Sequence, residues 1–522
     1  MNRRFASYWR CQMSDSIYRS IDKLITYGLL RGLIPEEEQI YSTNLVLDLL
    51  HLDSYDGQFV RDEDVARSLK DNPEKALSEI LEPLVDYAVQ NGIVEEVLPL
   101  KDVFDEKLMN AITPRPKTVI ERFWNTYRES PQKATLDYFV FSKDTNYIRR
   151  DRLSQDLVWD GDTKYGKLQI LISLSKPELD PKAIAAAGRA KATGYPKCAL
   201  CRENEGYAGR INFAPRQNHR IIPLSLCGEN FSLQFSPYRY CHQHCIVLHH
   251  DHIPMIIDER ALDKLLEFVS MFPHYFLGSN SDLPYVGGSV LSHEHFQGGV
   301  HRLPIMDAKV DRVYIKTDTL EVSTLNWPLS TIRIRGKDRF DVSRAGARIL
   351  RTWRDGYRDD EAEIDPGTPE DPHNTLTPLA YREGEDYVLF LMLRNNRTTE
   401  ERPDGMFHTH PDRFHIKKEG IGIIDAPGLA ILPPRLKKEL AVIRDVLLGN
   451  TRLEDHPEIS SHRAWVEDMR RKYPSFNDET VDRILKDEVV QLFMRMLEDC
   501  AVFRHTASGD SSFDRFMKKA LG

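Results

Sequence analysis

Apolar residues recur at helical spacing through the first hundred positions: Ile17, Ile21, Leu24 and Ile25, then Leu77, Ile80, Leu81, Leu84 and Val85. A period near 3.6 gives a helix one face to bury, so residues 15 to about 112 are expected to be helical. Asp71-Asn72-Pro73 interrupts the pattern and starts a fresh helix. The segment has no clustered His or Cys and no Gly-rich phosphate loop, which points to packing or regulation.

From Thr113-Pro114-Arg115-Pro116 the period changes. DYFVFS, KLQILISLS, NFSLQF and HCIVLHH are short and β-rich, with Pro, Gly and Asn turns between them. Helices are expected over roughly Pro181–Thr193 and Asp258–Leu277, the second with Leu262, Leu265, Leu266 and Val269 as its apolar stripe. A second β-rich block opens near Val313, with TIRIRG, DYVLFLMLRNN and GIGIIDAPGLAILPP. Asp355–Pro372 reads as a solvated loop, and helices return after Pro434, including one around Val481–Ala501. The pattern is α+β, a mostly antiparallel sheet with helices packed on it. It divides the chain into a helical region at 1–112, β-rich halves at 113–312 and 313–433, and a helical region at 434–522. Each half carries an H-x-H, which hints at an old duplication.

The stretch Asp282–Gly299, DLPYVGGSVLSHEHFQGG, carries the sharpest chemistry. On a strand, alternate side chains share a face, so His293, His295 and Gln297 would project together and Glu294 and Phe296 oppositely. A neutral imidazole beside backbone amides and a side-chain amide can attack a phosphate. The alternative is a strand with a solvated polar face, but the Gly-Gly pair on each side argues for close backbone approach. Gly288, Ser289 and Ser292 would supply contacts to a phosphoryl group.

Other residues suggest metal or substrate sites. Cys198-Ala-Leu-Cys201 has the spacing at which two thiolates chelate one zinc. A redox C-x-x-C expects a strand before it and a helix after it, whereas here a helix precedes and the polar, Gly-containing RENEGYAG follows; a plain turn is the third reading. The stretch Cys241–His252 holds more potential ligands than one metal needs, and the sequence leaves open which histidine binds. His244, Ile246 and Leu248 should face opposite to Cys245, Val247 and His249. His373-Asn374-Thr375 with His408-Thr409-His410 is a second candidate metal or substrate group, or else polar strand and loop residues.

Bulk properties narrow the class. At 522 residues, two or three domains, or a duplicated domain with additions, are expected. A composition 41% hydrophobic and 29% charged, with no run long enough to span a bilayer, predicts a cytoplasmic protein without a membrane partner. The N-terminus does not read as a signal peptide. Seven cysteines in so long a chain suggest reduced thiols or metal ligands rather than a disulfide framework. The net charge of −9 argues against nucleic acid as a partner, though not against an anionic substrate at a local basic patch.

DLPYVGGSVLSHEHFQGG resembles the signature of the class II galactose-1-phosphate uridylyltransferases, a branch of the histidine-triad superfamily. Further similar stretches cover most of the chain, among them FSKDTNYIRRDR, YPKCALCRENEGY, HCIVLHHDHIPM, LNWPLSTIRI, HNTLTP, LRNNRTTEE and FHTHPDRFHIKKEGIGIIDAPGLAILP. The resemblance implies two histidine-triad-like halves and a ping-pong reaction. UDP-glucose gives its uridylyl group to a histidine, and galactose 1-phosphate then takes it. By analogy with the related class I enzymes, His295 is the nucleophile, and Cys198, Cys201, His252 and His293 hold a structural zinc. No organic cofactor is implied, and the partners are a UDP-hexose and a hexose 1-phosphate. A homodimer follows only by analogy.

Gln297 stands where hydrolases of the superfamily usually carry a third histidine. It cannot act as an acid, and it favours transfer over hydrolysis. The sequence departs from class I at Glu294, where class I has proline, and in lacking a clear uridine-binding Asn-Asp pair; Asn218 with His219 is a loose candidate. Arg149, Arg394 and Arg397 are phosphate-binding candidates from charge and motif membership, and His408 and His410 faintly echo a class I iron site. The rival readings are a histidine-triad nucleotide hydrolase and a non-catalytic zinc-stabilised binding module.

Overall fold

A computed structural model describes residues 17–57, 61–174, 193–288 and 290–522. The expected helix at Pro181–Thr193 therefore falls, but for its last residue, outside the described residues, as does Ser289. Interleaved segments form two compact units. One takes the described parts of Met1–Gln155, Ser175–Leu224 and Ser232–Tyr238; the other takes Asp156–Leu174, Ser225–Phe231 and Arg239–Gly522.

The first unit opens with helices at 17–30, Gln39–Leu49, Glu63–Asp71, Ala76–Gln90 and Leu98–Asn110. They close over Ile21, Leu24, Leu81, Leu84, Leu108 and Ile112. The helical character then runs on past the expected boundary, through Pro116–Glu129 and Pro131–Asp144. DYFVFS, expected as a strand, lies inside the second of these. Ser130 caps it by accepting from Lys133 N, Pro131 stands at its first position, and Ala134, Tyr138 and Phe139 are buried. A six-residue aromatic and β-branched run fits either period, and the cap outside it decided.

The strands are β1 (Leu157–Thr163), β2 (Gly166–Ile172), β3 (Ile222–Leu226), β4 (Glu229–Phe235), β5 (Cys245–His249), β6 (Phe276–Gly278), β7 (His295–Gly299), β8 (Val310–Lys316), β9 (Leu320–Leu325), β10 (Thr331–Gly336), β11 (Asn374–Glu383), β12 (Asp386–Asn395) and β13 (Leu429–Leu432). Ten of them form one sheet in the order β3-β4-β5-β7-β6-β11-β12-β10-β9-β8. The pairings of β5 with β7, β7 with β6, β6 with β11 and β11 with β12 are all antiparallel. The protein is thus α+β with a mostly antiparallel sheet. GIGIIDAPGLAILPP gives only β13, which joins β1 and β2 in a separate small sheet, parallel to β2. Gly422 to Gly428 spend their backbone on turns instead of a ladder.

The large sheet contains the same motif twice. β3 and β4, β5, a helix at Glu259–Met271, then β6 and β7 are matched by β8 and β9, β10, a helix at Arg339–Arg354, then β11 and β12. In space each set runs first-second-third-fifth-fourth, and the sets meet where β6 pairs with β11. Both helices start on an aspartate cap, Asp258 and Asp338, whose carboxylates accept from first-turn amides. No helix among the described residues is long and apolar enough to cross a membrane.

Candidate active site

β7 begins at His295, so His293 precedes the strand rather than lying on it. Within the strand the expected alternation holds. Leu248 pairs with His295 and Ile246 with Gln297, so those side chains share a face, and His244, the residue just before β5, reaches Gln297 from the end of it. His244 Nε2 lies 3.3 Å from Gln297 Oε1, and its ring packs on Tyr240 with centroids 4.7 Å apart. An Nε2–H on His244 would occupy the amide oxygen of Gln297 and turn the amide nitrogen, a donor only, to the open side. His244 was only one of several open histidines in the sequence, although strand alternation already placed it on this face.

His295 is 5% exposed, and its Nδ1 lies 2.8 Å from the carbonyl oxygen of His293. A carbonyl cannot donate, so Nδ1 carries the proton and Nε2 presents a lone pair. Burial pushes the imidazole down from its ordinary value to about 4; the carbonyl bond opposes this and the neighbouring His293 adds to it. His295 is therefore neutral at physiological pH, the state in which imidazole is a nucleophile.

Glycine is required next to this strand. Gly288 has φ +98°, and a Cβ there would meet the Asn280 side chain at 2.9 Å. At Gly298 a Cβ would run into the carbonyl oxygen of Phe276 on β6. The close approach expected of both Gly-Gly pairs is present.

Two pairs of side chains bear on a metal. Cys198 and Cys201 have sulfurs 3.5 Å apart, too far for the roughly 2.05 Å of a disulfide. Burial pushes the Cys201 thiol up to about 11, so without a cation it stays protonated. His252 and His293 have ring centroids 4.8 Å apart. His293 Nε2 lies 2.8 Å from the carbonyl oxygen of His249. Metal-ligating histidines are commonly oriented in this way, with one ring nitrogen on a carbonyl. Each pair offers donors of the kind zinc takes.

A second group, Glu229, His249 and Glu294, also has the donors for a metal. A cation of the protein already sits there. Lys264 Nζ is 2.9 Å from Glu229 Oε2 and 2.7 Å from Glu294 Oε1. Burial alone would lower the ammonium's pKa, yet the two carboxylates hold it above its ordinary value. Neither Lys264 nor the role of Glu294 was legible in the sequence, since 30 positions separate them.

The remaining candidates are engaged elsewhere. Arg394 is 2% exposed and donates to the carbonyls of Ile421 and Val286 at 2.8 Å. Arg149 pairs with Asp102 and Asp105, and Arg397 donates to the Glu363 carbonyl at 3.1 Å. Asn218 is buried and donates to the Thr145 carbonyl at 2.6 Å, while His219 stacks on Tyr147. Ser292 is exposed. His410 Nε2 lies 2.7 Å from Arg402 Nη1, and His408 Nδ1 lies 3.1 Å from the Thr409 carbonyl. Among the described residues, His373, His408 and His410 join no metal-compatible group.

A neutral, oriented histidine followed by a glutamine on an antiparallel sheet equips the chain for group transfer through a covalent intermediate on the imidazole, and the relatives make the class that of nucleotidyltransferases. The family models for the N-terminal and C-terminal domains of galactose-1-phosphate uridyl transferase match residues 33–254 and 267–461. The chain belongs to the galactose-1-phosphate uridylyltransferase family. The galactose-1-phosphate uridylyltransferase of Clostridium acetobutylicum is 43% identical over 504 residues, covering 96% of this chain and 99% of that one. The Bacillus subtilis protein of the same name is 42% identical, over 96% of this chain and 97% of its own length. Among solved structures, yeast Ap4A phosphorylase Apa2 is a remote likeness: 10% identity, TM-score 0.35, 60% of this chain and 88% of that one.

Proposed function

We propose that the protein transfers UMP from UDP-glucose to galactose 1-phosphate through a uridylyl-His295 intermediate, giving UDP-galactose and glucose 1-phosphate. The observation that carries this reading is the His295 Nδ1 contact with the His293 carbonyl, which leaves Nε2 as the nucleophilic atom. The relatives' names give the substrate. In the first half-reaction Nε2 bonds to the α-phosphorus, and the bond from that phosphorus to the bridging oxygen breaks, its electrons leaving on glucose 1-phosphate. In the second, a phosphate oxygen of galactose 1-phosphate attacks the same phosphorus, the P–N bond breaks, and Nε2 regains its lone pair. A sugar phosphate is a weak base, so neither step needs a proton donor. Gln297 donates its amide to a phosphoryl oxygen, steadying charge without offering a proton.

A zinc ion bound by Cys198, Cys201, His252 and His293 would be structural, fixing the backbone that leads into β7. Gly288, Ser289 and Ser292 complete the reading as phosphoryl contacts, and the class I analogy adds a homodimer. The bulk composition supports a cytoplasmic protein with no nucleic-acid partner. The division at residues 112, 312 and 433 belongs to the same proposal.

The test is isotope exchange between UDP-glucose and labelled glucose 1-phosphate. His295→Gly should abolish it, and the parent protein should yield an acid-labile, base-stable phosphoramidate. Exchange at the parent rate in His295→Gly would overturn the assignment.

A further inference from the structure

We propose that Lys264 is a positioning residue for the nucleophile: its ion pair with Glu294 fixes the peptide that holds the tautomer of His295. The inference rests on His295 as the nucleophile.

The geometry turns on one peptide unit. The His293 carbonyl that holds His295 Nδ1 belongs to the peptide plane whose N–H is that of Glu294. That N–H donates to the Ile253 carbonyl at 2.7 Å. Because the unit is planar, tilting it moves both contacts at once. The side chain of Glu294 supplies the third point of attachment, Lys264 Nζ at 2.7 Å. Both side chains are under a tenth exposed, so the pair is shielded from solvent competition. Lys264 itself cannot drift, since Leu262, Leu265 and Leu266 bury the helix that carries it.

The same assembly grips the residue on the other side of the nucleophile. Lys264 Nζ lies 5.2 Å from the centre of the Phe231 ring, which stacks on Phe296 at 5.9 Å and 25°. Residues 294 and 296 are therefore both anchored on the back of the strand, and His295 faces the front between them. Removing the ammonium would leave the buried Glu294 carboxylate without a counter-charge, whereas Glu229, a quarter exposed, keeps Arg260, so Glu294 would turn away and take its peptide plane with it.

The full-length protein tests this in steady-state exchange assays and by nitrogen-15 NMR of labelled histidine. Lys264→Met should lower kcat about 10- to 100-fold, the usual effect of removing a group that orients an active one. KM for UDP-glucose should move by less than about threefold, because binding does not depend on the tautomer. Bound metal should be unchanged, and the His295 resonances should shift from the Nδ1–H form toward a tautomer mixture. Glu294→Gln, whose amide oxygen still accepts from Lys264, should lose less. Parent kcat in Lys264→Met would overturn the proposal. So would a slowed variant with the parent tautomer signature, or a loss that tracks loss of metal. If Lys264→Met does not fold, Lys264→Gln takes its place: lowered kcat with a tautomer mixture supports the proposal, and parent kcat or the parent tautomer signature overturns it. Failure of the nucleophile assignment itself shows separately, as exchange surviving in His295→Gly.

Discussion

The two five-stranded halves of the large sheet share strand order, helix placement and capping, and they differ in what their fifth strand carries. β7 reads His-Phe-Gln-Gly-Gly, whereas β12, in the matching place, has Val388 to Leu393 as a continuous apolar run. Leu389, Leu391 and Leu393 on β12 are fully buried, and their neighbours on β10 are Ile334 and Ile332. On the proposed reading, one half has its fifth strand for chemistry and the other for cohesion. The repeated motif supplies a wide platform, and the proposed reaction falls to a handful of polar residues on one copy. Fold symmetry therefore says little about where the site is.

That contrast can be broken experimentally. The largest effect should fall on β7: His295→Gly should lose exchange by at least about 10³-fold, as expected for a lost covalent nucleophile, with little change in the melting temperature. Leu391→Ala on β12 should do the opposite, costing about 2–5 kcal/mol in denaturant unfolding while its folded fraction keeps the parent kcat. If both substitutions act on kcat alike, the halves are not divided between chemistry and cohesion.

Gln297→Ala should follow, lowering kcat by on the order of 10²-fold, as for one lost oxyanion donor. Free UMP release relative to sugar-nucleotide product reads whether the amide also excludes hydrolysis. Stripping metal with a chelator, or Cys198→Ser, should remove the bound ion measured by elemental analysis and lower kcat about 10- to 100-fold. Leu391→Ala should keep its metal.

The pH response should be gentler. His295 has its pKa lowered, so the reactive neutral form is present above the folded value of about 4 and is lost as pH falls through it. The rate of the first half-reaction should stay within about twofold between pH 7 and pH 5.5, where an exposed imidazole of pKa near 6.5 would be mostly protonated. An acid limb centred near 6.5 would mean that His295 is solvated in the working enzyme. The smallest effect belongs to the other H-x-H. His410→Ala, removing the ring's contacts with Arg402 and Asp499 but keeping the backbone N–H bond to Asp499, should cost about 1 kcal/mol of stability and less than about threefold in kcat.

His408 and His410 also show how far spacing can be read. Two H-x-H motifs suggested a duplication, and the sheet is duplicated, but the second motif does not lie on the repeated strand. It stands in a loop before a short 3-10 turn at Pro411–Arg413. Similarly, DYFVFS had the residue types of a strand and became a helix because Ser130 and Pro131, just outside it, start one. Strands with turns clearly marked on both sides, such as NFSLQF and TIRIRG, appear close to where the pattern places them.

The sequence by itself determined what depends on near neighbours. The two-residue period put His295 and Gln297 on one face, glycines made room for the adjacent backbone, and three-residue spacing brought two thiols together. Only the tertiary structure decided what His295 leans on. Lys264 beneath Glu294, His244 beside Gln297 and the seam between β6 and β11 join positions 30 to about a hundred residues apart. Periodicity reports which face a side chain takes relative to its own strand or helix. It carries no information about which distant side chain the fold will bring against that face, because that choice is made by the packing of whole elements.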